Sequence, residues 1–139
     1  MKLRYLAVLP AIVAVAATAP ALAEDLDCSK KGADSTLCLK TGGWTEITGT
    51  DRADKLTGTK GQDQILGDGG NDRIFAGSGG DEIDGGDGRD TIEAGKGNDA
   101  VYAHDNKRDT IDCGTGKDTV IADAEDKVAK NCEKVDRRK

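Results

Sequence analysis

The chain has little of what fills a conventional globular core. Its 139 residues include one Trp, one Phe, two Tyr and one Met, and aromatic residues make up 3% of the sequence. A large-core enzyme fold is therefore excluded. The only histidine is His104, and neither H-E-x-x-H nor G-x-S-x-G occurs. There is no C-x-x-C pair of the kind that binds zinc. Excess positive charge is absent too: 20 Lys and Arg face 26 Asp and Glu, for a formal net charge of −6. A surface that tracks phosphates needs surplus base, so nucleic acid is not an expected partner.

The first 23 residues read as a signal peptide. Lys2 and Arg4 form a charged start, Leu6 to Ala17 is almost wholly apolar, and Ala21-Leu22-Ala23 is a small-residue cleavage site. The apolar run is shorter than the ~20 residues of a membrane span, so membrane insertion is not expected. Asp25-Leu26-Asp27 before Cys28 argues against a lipid anchor. The expectation is Sec-type export with cleavage after Ala23, giving a secreted, extracellular protein. Four cysteines in an oxidising compartment then read as two disulfides.

What the chain has in abundance is a repeat. Asp54, Asp63, Asp72, Asp81, Asp90 and Asp99 lie nine residues apart without a slip. Two residues after each stands an apolar one: Leu56, Ile65, Ile74, Ile83, Ile92 and Val101. The apolar phase reaches back to Ile47. After Val101 it slips by one, then resumes with Asp109-Thr110-Ile111 and Asp118-Thr119-Val120. Glycines fill the intervals, and 16 of the 19 fall between Gly49 and Gly116. A random Gly-rich linker would hold no such phase.

Each unit predicts a turn of about six residues and a strand of about three. In Asp-x-U the middle residue faces out and the apolar one faces in. Lys55, Gln64, Arg73, Glu82 and Thr91 are polar, as this requires. One unit reverses the chain, so two units, 18 residues, make a coil. Stacked coils form two facing parallel sheets. Ile47, Ile65, Ile83 and Val101 then form one inward ladder, and Leu56, Ile74, Ile92 and Ile111 the other.

Stacking aligns Asp54, Asp72 and Asp90 on one edge and Asp63, Asp81 and Asp99 on the other, at the ~4.8 Å spacing of strands. Carboxylates that close repel one another, and a cation between successive turns reverses the sign. Calcium suits the position, because it takes 6–8 oxygen ligands at ~2.3–2.6 Å in flexible geometry. Asp supplies carboxylates, and Gly-rich turns supply carbonyls unshielded by side chains. Magnesium demands a tighter octahedron, and zinc prefers nitrogen and sulfur.

The units resemble the RTX (haemolysin-type) calcium-binding nonapeptide, G-G-x-G-x-D-x-U-x, which Gly85 to Glu93 matches at every fixed position. The resemblance spans about Gly49 to Ala122. It implies an all-β, right-handed parallel β-roll with each ion between turn i and turn i+2. The implied metal ligands are Asp54, Asp63, Asp72, Asp81, Asp90, Asp99 and Asp118. Turn carbonyls around Gly67, Gly69, Gly70, Gly77, Gly79, Gly85, Gly86, Gly88, Gly95 and Gly97 would complete the sites. Counting adequate turn pairs gives about four calcium ions, within a range of three to six. The turn His104 to Asp109 counts against itself, having no glycine and the cationic Lys107 and Arg108. Toxin or protease activity of larger family members does not carry over, because the chain shows N-terminal export and no further domain is expected.

A solenoid needs caps on its open ends. The reading is a signal peptide over 1–23, an N-terminal cap over 24–48, a repeat roll over 49–121, and a C-terminal cap and basic tail over 122–139. Trp44 is expected to pack over the first coil. Ala122 to Val135 looks weakly helical and is expected to close the other end. The caps lie roughly 20 Å apart at four coils of ~4.8 Å, beyond disulfide reach, so the pairs are Cys28–Cys38 and Cys113–Cys132. Function follows as a secreted, monomeric calcium-binding protein whose roll folds on the ion, not an enzyme. The alternative is a calcium-scaffolded extracellular binding or adhesion module for a glycan, envelope or protein partner at the cell surface.

Overall fold

The computed structural model describes residues 26–27 and 38–138, and every regular element among them is a strand. Numbered along the chain, β1 (Leu26–Asp27), β4 (Lys55–Thr57), β6 (Arg73–Ser78), β8 (Thr91–Lys96), β10 (Thr110–Asp112) and β12 (Lys127–Val128) form one sheet in that order. The second sheet runs β2 (Cys38–Thr41), β3 (Trp44–Thr48), β5 (Gln62–Leu66), β7 (Glu82–Asp84), β9 (Ala100–Ala103), β11 (Thr119–Asp123) and β13 (Lys134–Arg138). All pairings are parallel except the β2–β3 hairpin. From β3 onward successive strands alternate between sheets, so the fold is a parallel two-sheet β-solenoid.

Register follows the apolar phase. Ile47 pairs with Ile65, Ile65 with Ile83, Ile83 with Val101 and Val101 with Val120. Opposite them, Leu56 pairs with Ile74, Ile74 with Ile92 and Ile92 with Ile111. All nine are at most 1% exposed. Each such side chain contributes about 1.5–3 kcal/mol on burial, so the core is a thin stack of branched aliphatics. Ala76, Ala94, Ala103 and Ala122 add a second, small inward position where strand gives way to turn.

The ends differ from expectation. The C-terminal segment is not helical. Lys127–Val128 and Lys134–Arg138 extend the two sheets instead, with Val128 on Ile111 and Val135 on Val120. The strand register thus outlasts the glycine signal and continues the solenoid, with Val128 packed against the core and Val135 exposed on the last strand. Trp44 does not pack into the first coil either. Thr45 and Ile47 face inward on β3, so the alternation of the strand turns Trp44 outward, 38% exposed. Strand β2 covers that edge of the sheet, with Cys38 packed against the core. Cys113 and Cys132 are disulfide-bonded across the last coil. Cys38 is disulfide-bonded as well, while Cys28 and the 1–23 segment lie outside the described residues.

Candidate metal centre

The turns form two rows along the edges of the sandwich. Each row is tied together by its aspartates. On one edge the Asp54 amide donates to Asp72 Oδ1 at 2.8 Å, Asp72 to Asp90 at 2.8 Å, Asp90 to Asp109 at 2.8 Å and Asp109 to Asp126 at 2.9 Å. On the other, the Asp63 amide donates to Asp81 Oδ1, Asp81 to Asp99 and Asp99 to Asp118, each at 2.9 Å. Glu133 Oε2 closes this row by accepting from the Asp118 amide at 2.9 Å. One carboxylate oxygen per turn therefore glues coil to coil.

The other oxygen is unsatisfied. Oδ2 of Asp72, Asp81, Asp90, Asp99, Asp109 and Asp118 is buried and has no hydrogen-bond partner. A bare buried carboxylate oxygen is costly. Burial pushes Asp72 up to about 6 and Asp81, Asp90 and Asp109 up to about 7, against an ordinary 3.8. The inter-coil amide bond opposes the rise, and carboxylates of adjacent turns add to it. Asp99 is raised by the same burial. The arrangement lacks only positive charge.

Backbone oxygens surround these carboxylates. A Cβ at Gly49, Gly67, Gly86, Gly88, Gly95 or Gly97 would overlap the carbonyl oxygen of Gly67, Gly85, Asp68, Gly70, Gly77 or Gly79 respectively. The carbonyls of one turn thus project into the next, and only glycine leaves them room. Gly67 also faces its own turn's Asp72 Oδ2, 2.7 Å from where its Cβ would stand. Gly69 lies beside Asp51 instead. Among the described residues no three acidic, imidazole or thiol side chains converge on one point. Any ion must therefore combine single carboxylates with carbonyls, a donor set of hard oxygens that fits calcium.

Asp54 and Asp63, expected among the ligands, sit on the ladder but are already served. Asp54 Oδ2 accepts from the Thr50 amide at 2.6 Å and the Thr50 hydroxyl at 2.9 Å. Asp63 Oδ2 accepts from the Thr59 amide at 2.6 Å, and its Oδ1 from the Thr59 hydroxyl at 2.9 Å. Asp109, passed over in the sequence reading, has the same bare Oδ2 as the glycine-turn aspartates. Its turn carries one extra residue, and Asp105 repairs the stack. Gly70 and Gly79 donate their amides to carbonyls of the next coil, whereas Gly88 donates to the Asp105 carboxylate at 2.6 Å. The visible signal was Asp109-Thr110-Ile111, which keeps the Asp-x-U phase without glycine.

A two-sheet parallel solenoid whose stacked turns each bury one carboxylate defines a β-roll with an oxygen-lined edge. The family model of the RTX calcium-binding nonapeptide repeat matches residues 48–83 and 75–106. This stretch of the chain is built of RTX-type nonapeptide repeats. No curated protein matches the chain.

Proposed function

We propose that the protein is a secreted calcium-binding β-roll whose folding is coupled to the ion, with no catalytic role. The observation that carries this reading is the set of six buried, partnerless Oδ2 atoms in register along the two edges. Asp72, Asp81, Asp90, Asp99, Asp109 and Asp118 would hold calcium together with turn carbonyls. Bound calcium supplies the positive charge that lets these carboxylates remain both ionised and buried. Asp54 and Asp63 would contribute less, since Thr50 and Thr59 already serve them. About four ions, one for each well-formed pair of stacked turns, is the proposed load.

The chain's own groups do the rest. The inter-coil amide bonds set the spacing, and the aliphatic ladder supplies the apolar burial that neutralised turns release. Without neutralisation, glycine entropy and carboxylate repulsion oppose the stack. Ion-binding free energy then becomes folding free energy. Secretion is supported by the Cys113–Cys132 disulfide, which persists in an oxidising compartment.

The test is far-UV circular dichroism of the oxidised protein after chelation, titrated with calcium and, separately, magnesium. A coil-to-β transition driven by calcium and not by magnesium is expected. Full β-structure with an unchanged melting temperature in chelator would overturn the reading.

A further inference from the structure

Among the described residues, the first-edge row ends at the turn 122–126. Asp126 is the last aspartate of that row and is buried. Unlike Asp72, Asp90 and Asp109 of the same row, it has no bare oxygen. Its Oδ1 accepts from the Asp109 amide at 2.9 Å and its Oδ2 from the Asp123 amide at 2.6 Å. The carbonyls of the same turn converge on guanidinium groups. Arg137 Nη1 donates to Asp123 O at 2.7 Å, Asp126 O at 3.4 Å and Ala124 O at 3.5 Å. Arg108 Nε donates to Glu125 O at 3.1 Å. Four consecutive carbonyls are thus taken by two cations of the chain itself.

We propose that Arg137 is the resident cation of the last turn, filling with a guanidinium the role that the calcium reading gives to an ion between interior turns. This inference rests on that reading. Several backbone carbonyls gathered beside acidic side chains, here Asp123 and Asp126, are what a hard cation receives elsewhere. A guanidinium is permanently charged and presents several donors, so one group serves three carbonyls without an ion. Arg137 is held in place independently of the turns. It lies on β13, paired with Ala122 of β11, and the chain leading to it is anchored by the Cys113–Cys132 disulfide. Arg108, from the turn that lacks glycine, reinforces the same contact. Arg108, one of the two cations that count against a metal at turn 104–109, thus lies beside the place where the row is sealed without one.

The test is amide hydrogen exchange on the full oxidised chain, with calcium and in chelator, for wild type, Arg137→Met and Arg137→Lys. In wild type the amides of Asp109 and Asp123, which bond into the last turn, should stay protected in chelator, while those of Asp72 and Asp81 lose protection. Arg137→Met should lose the chelator-resistant protection and need several-fold more calcium to fold. Arg137→Lys should keep most of it. Saturating calcium should return Arg137→Met to the wild-type circular dichroism spectrum, which separates this effect from general misfolding. The proposal is overturned if Arg137→Met exchanges like wild type, or if the wild-type Asp109 and Asp123 amides lose protection together with the interior ones. Protection of the Asp72 and Asp81 amides in chelator would instead overturn the calcium reading, and the Arg137→Met comparison would still decide the role of the guanidinium.

Discussion

The first two turns and the interior turns carry the same aspartate in the same register, yet they treat its second oxygen in opposite ways. In turns 49–54 and 58–63 the second residue is Thr50 or Thr59, and its amide and hydroxyl serve the aspartate of the same turn. In the turns beginning at Gly67, Ala76, Gly85 and Ala94 the second residue is Asp68, Gly77, Gly86 or Gly95, each at positive φ between 74° and 107°. There the aspartate Oδ2 is left bare. A β-branched threonine resists positive φ, whereas glycine adopts it freely and aspartate tolerates it. In these six turns the choice at one position therefore decides whether the carboxylate is satisfied from within or exposed to a cation. An acidic ladder alone does not make a row of ion sites; the backbone must also withdraw its own donors.

The largest effect should come from glycines where turns touch. Gly97 has φ +139°, and a Cβ there would overlap the Gly79 carbonyl oxygen. Gly97→Ala should abolish the cooperative β transition at any calcium concentration, read by circular dichroism. Gly61, in the second turn, has only Thr59 Oγ1 near its Cβ position, at 3.7 Å. Gly61→Ala should change stability by no more than about 0.5 kcal/mol. Equal damage from both would show that glycine acts through chain flexibility and not through turn contact.

Next come the carboxylates. Asp90→Asn keeps an oxygen for the Asp72 amide but removes the charge. Contacts to an ionised group are worth about 1.5–3 kcal/mol, so the calcium midpoint of folding should rise about tenfold or more. Asp109→Asn should behave alike. Asp54→Asn, whose oxygen is held by Thr50, should shift the midpoint by less than about twofold. A shift as large at Asp54 as at Asp90 would erase the distinction between the two regions.

Much of this was legible beforehand, because a nine-residue phase leaves few options. Asp-x-U alternation placed every residue of both ladders from Ile47 to Ile111 on the correct sheet and in the correct register. Legibility failed where one local rule hid another. Asp109 was hidden by a turn without glycine, since the repair by Asp105 is a contact between coils that no spacing reveals. The spacing says nothing of Thr50 and Thr59, although their hydroxyls and amides take up a carboxylate oxygen. Trp44 is expected over the first coil, but the parity of β3 turns it outward. The helical reading of Ala122–Val135 gave local propensity precedence over Val128 and Val135, which continue the strand register.

A smaller effect should follow from pH. Burial raises Asp72 to about 6 and Asp81, Asp90 and Asp109 to about 7 in the folded chain, against 3.8 as the ordinary value. The folded state without metal thus holds protons more tightly than the unfolded chain. That contribution is complete below about pH 4 and is lost as pH rises through 6 to 7. The chelated protein should therefore gain β-structure on acidification from pH 8 to 4, measured by circular dichroism. Exchange of the interior amides should slow over the same range. Flat or falling ellipticity on acidification would mean that the bare oxygens are not what opposes folding.

The smallest effect should come from the threonine hydroxyls. Thr59→Val keeps the β-branch, so the turn keeps its backbone angles and the 2.6 Å amide bond to Asp63. It removes the 2.9 Å hydroxyl bond to the same carboxylate and the acceptor for the Gly61 amide. A loss of about 1 kcal/mol in thermal unfolding is expected, with calcium stoichiometry unchanged. Thr59→Gly should act differently although it deletes more. Freed to take positive φ, the turn would withdraw its amide from Asp63 and leave Oδ2 as bare as in the interior. The calcium midpoint should then rise and its dependence on calcium steepen, a change that loss of a hydroxyl alone cannot produce. Identical calcium titrations for Thr59→Val and Thr59→Gly would show that residue type at this turn position does not set the demand for the ion.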